Sequence, residues 1–468
     1  MKRLFVLGAM APWLLSACGS DGKSSGTDDG GVGSDGSGQS AGGAATLGTG
    51  GLGPKQTAAG GSTSAGGSTS AGGSTGSGSG GQSTSGGRTG SGGRATGSTG
   101  GSTGSGGQAS TGGQTGAGGS TSTQFTTLPY RGVGLAGAEF GANTDGTFNG
   151  NNLGAIPGDY YYPDKDWQDT GTYPGGYGKD AFPFFRGRGM NIFRLPFRWE
   201  RLQRTLNADF NATEYADLQG TVRDMEAAGA FVLLDVHNYA RYASASEIKS
   251  GKGADTVGSG AVPNAAFADL WRRLAEQYKD DQNVLFGLMN EPYGLDDGSQ
   301  WLNAANAAIA AIRATGAKNL ILIGGNEYED AKTWPDVSDV LKGITDPGNN
   351  YAFEVHVYPD TDSNGSGDAC PDTTSGSKQL QPFTDWARSH KVKGFLGEFS
   401  AGIDINADGK CMTAIDDELS HLEKNSDVYI GWTYWAGGPG FGPDNPMEDS
   451  VINKKNSAAM DVLVKHLK

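Results

Sequence analysis

Two glutamates stand where a buried strand should end. Asn290-Glu291-Pro292 follows the apolar run Val284-Leu285-Phe286-Gly287-Leu288-Met289, and Glu398 sits in Gly397-Glu398-Phe399 after Gly394-Phe395-Leu396. A carboxylate is costly to desolvate at such a position unless it is paired or used. Two of them, each closing an apolar strand, suggest a paired-carboxyl site. One carboxyl would carry a proton for a leaving oxygen; the other, ionised, would attack or stabilise an anomeric carbon. That is the equipment for breaking a glycosidic bond. The plainer alternative is a buried ion pair at each strand end.

The elements that must position these groups can be read from hydrophobic periodicity. Strand-like runs occur at 132–138, 191–196, 231–236, 284–289, 320–323, 352–357, 394–397 and 428–434. Between them, segments such as 264–278 and 300–315 place apolar residues at helical spacing. Eight strand–helix units predict an α/β fold, a (β/α)8 TIM barrel, with functional groups at the C-terminal ends of the strands. An open doubly wound sheet is the alternative. Its glycine-rich turn would be Gly132-Val133-Gly134-Leu135-Ala136-Gly137, but no acidic ribose partner follows convincingly.

The strand ends, taken in order, give Arg194, His237 with Asn238, Asn290 with Glu291, Asn326, His356 with Tyr358, Glu398, and Trp432 with Trp435. A core would offer Val, Ile and Leu here. Arg194 beside a carboxylate would keep it ionised, and the Tyr358 phenol could hydrogen-bond the same group. Trp435 offers a flat face for a pyranose ring. The ordinary alternatives are satisfied core histidines and a packed core tryptophan.

The runs Ile192-Phe193-Arg194-Leu195-Pro196, Asp235-Val236-His237-Asn238-Tyr239, Met289-Asn290-Glu291-Pro292, His356-Val357-Tyr358, Gly397-Glu398-Phe399 and Gly431-Trp432-Thr433-Tyr434-Trp435 together resemble glycoside hydrolase family 5, within clan A. The likeness is greatest to its endo-β-1,4-glucanases. It implies a retaining double displacement with Glu291 as general acid/base and Glu398 as nucleophile. It also implies that Asn290 holds the sugar 2-hydroxyl and that Arg194 and Tyr358 orient Glu398. His237 and His356 would complete the hydrogen-bonding shell, Asn238 is a further substrate-binding candidate, and Trp435 would floor the subsite where the bond breaks. The implied substrate is cellulose or a soluble β-glucan, with no cofactor. An endo-β-1,4-mannanase or other β-glycanase of the family is the nearest alternative. A non-catalytic surface glycan-binding protein is the alternative from another class.

Composition divides the 468 residues. Residues 1–18 read as a lipoprotein signal peptide: a basic start, an apolar stretch over 4–15 too short to span a membrane, and Leu15-Ser16-Ala17-Cys18, which resembles a lipobox with Cys18 lipidated. An ordinary secretory signal is the other reading. Residues 19–124 are Gly-, Ser- and Thr-rich and predict a disordered linker with a span of roughly 55–60 Å. Residues 125–468 are the expected catalytic domain. The formal charge of −15 argues against nucleic acid and anionic membrane surfaces. The membrane would then be met only through the lipid anchor. A monomer is expected, displayed at the outer membrane or cell surface, with release if the linker is cut. With Cys18 lipidated, Cys370 and Cys411 remain as a disulfide pair or as two free thiols.

Other patterns carry less. Asp404-Ile405-Asn406-Ala407-Asp408-Gly409 and Asp360-Thr361-Asp362-Ser363-Asn364-Gly365 open like calcium loops, but Ile415 and Pro371 stand where the twelfth-position glutamate belongs. A catalytic metal is not expected, because Arg194 would repel it. Asn211-Ala212-Thr213 fits a glycosylation sequon, which has little force in a bacterial lipoprotein.

Overall fold

Eight parallel strands close into a barrel in which each is paired with its sequence neighbours: β1 (Tyr130–Leu135), β2 (Ile192–Phe197), β3 (Phe231–Val236), β4 (Val284–Gly287), β5 (Ile321–Gly324), β6 (Tyr351–Val357), β7 (Gly394–Phe399) and β8 (Tyr429–Gly437), with β8 returning to β1. The computed structural model describes residues 128–140, 151–152, 156–157, 177–250, 252–361, 363–365, 369–401, 409–438 and 446–468. Cys18, the 19–124 linker and most of the 404–409 loop lie outside these residues. All eight runs expected from sequence are barrel strands, with ends differing by a few residues.

Because side chains alternate along a strand, each barrel strand has an outer and an inner row. The outer row, including Phe193, Leu195, Phe197, Val232, Leu234, Val236, Val284 and Phe286, joins the surrounding helices in one large buried core. Helix α1 (Asn264–Tyr278) buries Phe267, Leu270, Trp271 and Leu274, an i, i+3, i+4, i+7 stripe. Helix α2 (Gly298–Ala314) buries Trp301, Ala305, Ala308, Ile309 and Ile312. The indoles of Trp271 and Trp301 donate to the carbonyls of Leu288 (3.0 Å) and Gly324 (2.7 Å). Burial of each such ring contributes about 2–3 kcal/mol, and the hydrogen bonds tie the helices to the strand ends that carry the site.

The inner row changes character along the barrel axis. At the N-terminal end Ile192, Leu233, Leu285, Leu322, Ala352 and Phe395 form a separate apolar plug. Two residues further along the same strands stand Arg194, Asp235, Gly287, Gly324, Glu354 and Gly397. Charge thus replaces hydrocarbon in the second layer, and glycines leave room for it. A Cβ on Gly397 would fall 2.0 Å from Glu354 Oε1. Gly397 is also the extra residue of a β7 bulge: Val355 pairs with Leu396, but His356 pairs with Glu398. The bulge brings Glu398 level with His356 and re-aims it.

Cys370 and Cys411 are joined in a disulfide, Cα atoms 5.1 Å apart. Asn211 of the sequon caps the helix Ala212–Ala227, its side chain accepting from the Glu214 N–H, which is worth about 1 kcal/mol. Asp360 accepts the Asn364 N–H at 3.0 Å, so its carboxylate closes its own turn.

Candidate active site

Arg194, fully buried on β2, is the hub. Its guanidinium donates to Glu398 Oε1 at 2.6 Å and to Asn290 Oδ1 at 2.7 Å, and lies 3.1 Å from both Asp235 Oδ2 and Glu354 Oε1. Burial opposes charge on Arg194, but Asp235, Glu354 and Glu398 overcome it and fix the cation. A hydrogen-bond donor in five directions on a rigid plane suits this position as lysine would not.

Glu398 ends β7 with both oxygens engaged. Oε1 takes Arg194, and Oε2 accepts from the Tyr358 hydroxyl at 2.6 Å. Burial alone would favour the neutral acid. His356, Arg194 and His237 beside it, with the Tyr358 hydrogen bond, instead hold the group at about 2. Tyr358 is pushed well up, first by burial and then by the Glu398 and Glu291 carboxyls, so it stays a donor.

Glu291 follows β4 in a left-handed conformation, φ 47°. Its backbone N–H donates to Glu329 Oε1 at 2.7 Å, and its Oε1 lies 2.8 Å from His356 Nδ1. One oxygen of Glu291, one nitrogen of His356 and one oxygen of Glu398 lie within 4.8 Å of one another. Oxygens this close fit the short carboxyl spacing of a retaining site rather than the wider spacing of an inverting one.

Asn290 turns its oxygen to Arg194, a pure donor, so its NH2 faces His237 Nε2 at 3.2 Å. This places the imidazole proton on Nδ1, 2.9 Å from Asp235 Oδ2. Burial disfavours a second proton on His237; Asp235, Glu398 and Glu139 favour it, and raise the group overall. The Asn290 NH2 opposes that second proton sterically. His237 stacks on Trp435, centroids 5.3 Å apart and planes 9° from parallel. Gly134 leaves room for the indole, since a Cβ there would meet it at 2.7 Å.

The structure therefore gathers Arg194, His237, Asn290, Glu291, His356, Tyr358, Glu398 and Trp435 at one end of the barrel. Asn238 is directed elsewhere. Next to inward-facing His237 it points outward, accepting from the Trp199 N–H at 2.8 Å and donating to Glu200 Oε2 at 2.6 Å and the Arg241 carbonyl at 3.2 Å. It braces the β2 and β3 loops rather than facing the cleft. Asn326 and Trp432 are likewise structural: Asn326 binds Ser338 Oγ and the Val337 carbonyl, and Trp432 is buried edge-to-face with Phe399.

Four acidic residues around the site carried no role in the sequence reading. Asp235 and Glu354 lie in the charged layer. Glu139 follows β1, buried, its Oε2 accepting from the Gly137 N–H and its Oε1 without a hydrogen-bond partner among the described residues; burial raises it to about 7. Glu329 is fully buried beneath Glu291. The rule that marked Glu291 and Glu398, a carboxyl on or just past an apolar strand, would have marked Glu139 and Glu354. Glu291, His356 and Glu398, and also Glu329, Glu354 and His356, have metal-ligand types in reach of one another. Arg194 already supplies the cation between Glu354 and Glu398, which weighs against a metal there.

Beyond Glu291, Tyr293 and Tyr328 stack at 4.4 Å, Tyr239 meets Tyr293 edge-on, and Arg241 lies 3.8 Å over the Tyr293 ring. Tyr328 is 40% exposed. Tyr242 is turned away, donating to the Gln203 carbonyl at 2.9 Å.

The family model described as Cellulase (glycosyl hydrolase family 5) matches residues 163–438. Endo-beta-1,4-glucanase A of Emericella nidulans is 37% identical over 313 residues, 66% of this chain and 84% of that protein. The structure of XacCel5A in complex with cellopentaose aligns with a TM-score of 0.60 and 39% identity over 72% of this chain and 99% of that one. Pseudomonas stutzeri endoglucanase Cel5A in complex with cellobiose aligns with a TM-score of 0.58 and 31% identity, covering 73% and 93%.

Proposed function

The chain belongs to glycosyl hydrolase family 5, and from that premise we propose that it is a retaining endo-β-1,4-glucanase acting on cellulose or a soluble β-glucan. The observation that carries the reading is the approach of Glu291 and Glu398 oxygens within 4.8 Å, with Glu398 held ionised at about 2. Glu398 attacks the anomeric carbon as Glu291 gives its proton to the departing glycosidic oxygen. The resulting glycosyl ester on Glu398 is opened by a water whose proton returns to Glu291. Asn290 keeps one amide N–H for a sugar hydroxyl, and Trp435 offers its face to the ring. The Tyr293–Tyr328 stack beside Glu291 suits a sugar on the leaving-group side.

The test is hydrolysis of carboxymethyl cellulose, barley β-glucan and mannan by the purified protein, with the product anomer followed by NMR. Glucan cleavage with retained β configuration, abolished in Glu291→Gln, is expected. Inverted product, or mannan as the best substrate, would overturn the assignment.

The same reading extends to location. A lipidated Cys18 on the 19–124 tether would hold a monomeric catalytic domain at the outer membrane or cell surface; Gly19, not aspartate, follows the cysteine. Incorporation of labelled palmitate that Cys18→Ala abolishes is the expected result. Full-length protein that carries no label would refute the anchor.

A further inference from the structure

Glu329 is absent from the chemistry described above, yet it is the buried group in contact with both halves of the acid/base apparatus. Its Oε1 accepts the Glu291 backbone N–H at 2.7 Å; its Oε2 lies 3.2 Å from His356 Nε2. The opposite ring nitrogen, Nδ1, is 2.8 Å from Glu291 Oε1. Among the described residues neither Glu329 Oε2 nor His356 Nε2 has a hydrogen-bond partner, and each is the other's near polar neighbour. Glu327, Tyr328 and Glu329 are three successive left-handed residues, φ 52°, 65° and 60°. Such backbone costs roughly 1–2 kcal/mol at each residue. It is held in place by hydrogen bonds from the His356 N–H to the Glu329 carbonyl (2.9 Å) and from the Ala331 N–H to the His356 carbonyl (3.3 Å). Gly324 leaves the space: a Cβ there would fall 2.0 Å from Glu329 Oε1.

We propose that Glu329 is a positioning residue that shares one proton with His356 Nε2, so that the imidazole becomes a cation when Glu291 has given up its own proton. The inference rests on the glycosidase reading. Before reaction Glu291 is neutral, Glu329 holds the shared proton on Oε2, and His356 is neutral with Nδ1–H donated to Glu291 Oε1. Glu291 then delivers its proton from its other oxygen to the leaving group. As negative charge appears on Glu291, the Glu329 O–H bond breaks and an Nε2–H bond forms. The imidazolium is left facing the new carboxylate, and Glu329 becomes a carboxylate in its turn. Return of a proton from water to Glu291 reverses the shift.

The surroundings support a proton held between these two groups. Burial, then Glu354, push Glu329 well up against the His356 and Arg194 charges. Burial opposes charge on His356, but Glu398, Glu329, Glu291 and Glu354 raise it. Glu354 Oε1 lies 3.8 Å from Nε2 and Glu398 Oε2 3.7 Å from Nδ1. Both carboxylates are bound by Arg194, which leaves Glu329 as the exchangeable partner.

Glu329→Gln separates this role from a purely structural one. The amide oxygen can keep the Glu291 N–H and the amide NH2 can face His356 Nε2, so both contacts survive while proton exchange does not. With the imidazole locked neutral, an opposite charge is lost beside Glu291, which shifts a carboxyl by about one pH unit or more. The expected result is a basic limb of kcat/KM about one pH unit higher. The variant should also be about tenfold slower on cellopentaose, with little change on 2,4-dinitrophenyl cellobioside, whose leaving group needs no acid. Equal losses on both substrates, or an unmoved limb, would overturn the proposal. Should the variant fail to fold, 15N-histidine NMR of the wild-type protein decides. Trapping the glycosyl ester with a 2-fluoro cellobioside should move His356 from neutral to imidazolium shifts, and no movement would refute the shared proton. Absence of any hydrolysis or trapping by wild type would instead sink the glycosidase reading beneath it.

Discussion

Tyr358→Phe deletes one oxygen and asks how much of the ionisation of Glu398 that oxygen supplies. Glu398 stands at about 2 against an ordinary 4.5, a depression equivalent to about 3 kcal/mol at roughly 1.4 kcal/mol per pH unit. The sign follows from the depression: the stabilisation is fully present above 4.5 and is lost as pH falls through about 2. The hydroxyl donates at 2.6 Å to a charged acceptor, a bond worth about 1.5–3 kcal/mol. Its loss should therefore raise the acidic limb of kcat/KM by about one to two pH units, to roughly pH 3–4. The Arg194 guanidinium remains on Glu398, so Glu398 stays ionised near neutrality and the variant keeps activity there. The assay is kcat/KM on a soluble cellooligosaccharide from pH 2.5 to 8, with circular dichroism at each pH. An acidic limb unmoved in a folded variant would refute the account of how Glu398 is kept ionised.

Further expectations follow from groups outside the reacting pair. Glu418 is fully buried, both its oxygens lack hydrogen-bond partners among the described residues, and burial holds it well above the usual carboxylate range. The folded state thus needs the neutral acid, and stability falls as pH rises above the unfolded group's range of about 4. Glu418→Met should raise Tm by about 2–4 °C at pH 8 and by less at pH 5; a lower Tm at pH 8 would contradict this. Gly397→Ala places a methyl on Glu354, which carries the Arg194 contact, and should cost at least about tenfold in kcat/KM through misplacement of Glu398. An unchanged rate would show that the charged layer tolerates displacement. Opening the Cys370–Cys411 bridge, with its sequence separation of 41, should remove about 4 kcal/mol in the chain-entropy model. Thermal unfolding of Cys370→Ser and of the parent protein checks this, and equal Tm values would refute it.

The barrel was legible because both faces of each strand are buried, so strands appear as continuous apolar runs between helical stripes. Glu291 and Glu398 were legible because a carboxyl at such an end is expensive. Asn238 misled because it adjoins His237 just past the end of β3, where its side chain turns to the Trp199 N–H and Glu200 instead of the cleft. Glu398 faces the cleft only through the bulge at Gly397, a glycine inside a strand run. Glu329 was not legible at all. Glu327-Tyr328-Glu329 has the composition of an exposed turn, and only its left-handed path over Gly324 carries the third residue under Glu291.

The charged layer explains why the pocket needs so many groups that never meet a sugar. Asp235, Glu354, Glu398, Glu329 and Glu291 face Arg194, His237 and His356 in a space closed below by apolar side chains. At an effective dielectric near 20, unit charges about 4 Å apart interact by about 4 kcal/mol, so these groups cannot titrate independently. Arg194 is the fixed point, because a guanidinium does not give up its proton. The carboxyls outnumber the basic groups, so protons must make up the difference, and burial favours one on Glu329. A proton leaving Glu291 is then felt at His356 and Glu329 without any atom moving far. Most of these groups ride on barrel strands rather than on loops, so the field at the anomeric carbon is set before substrate arrives.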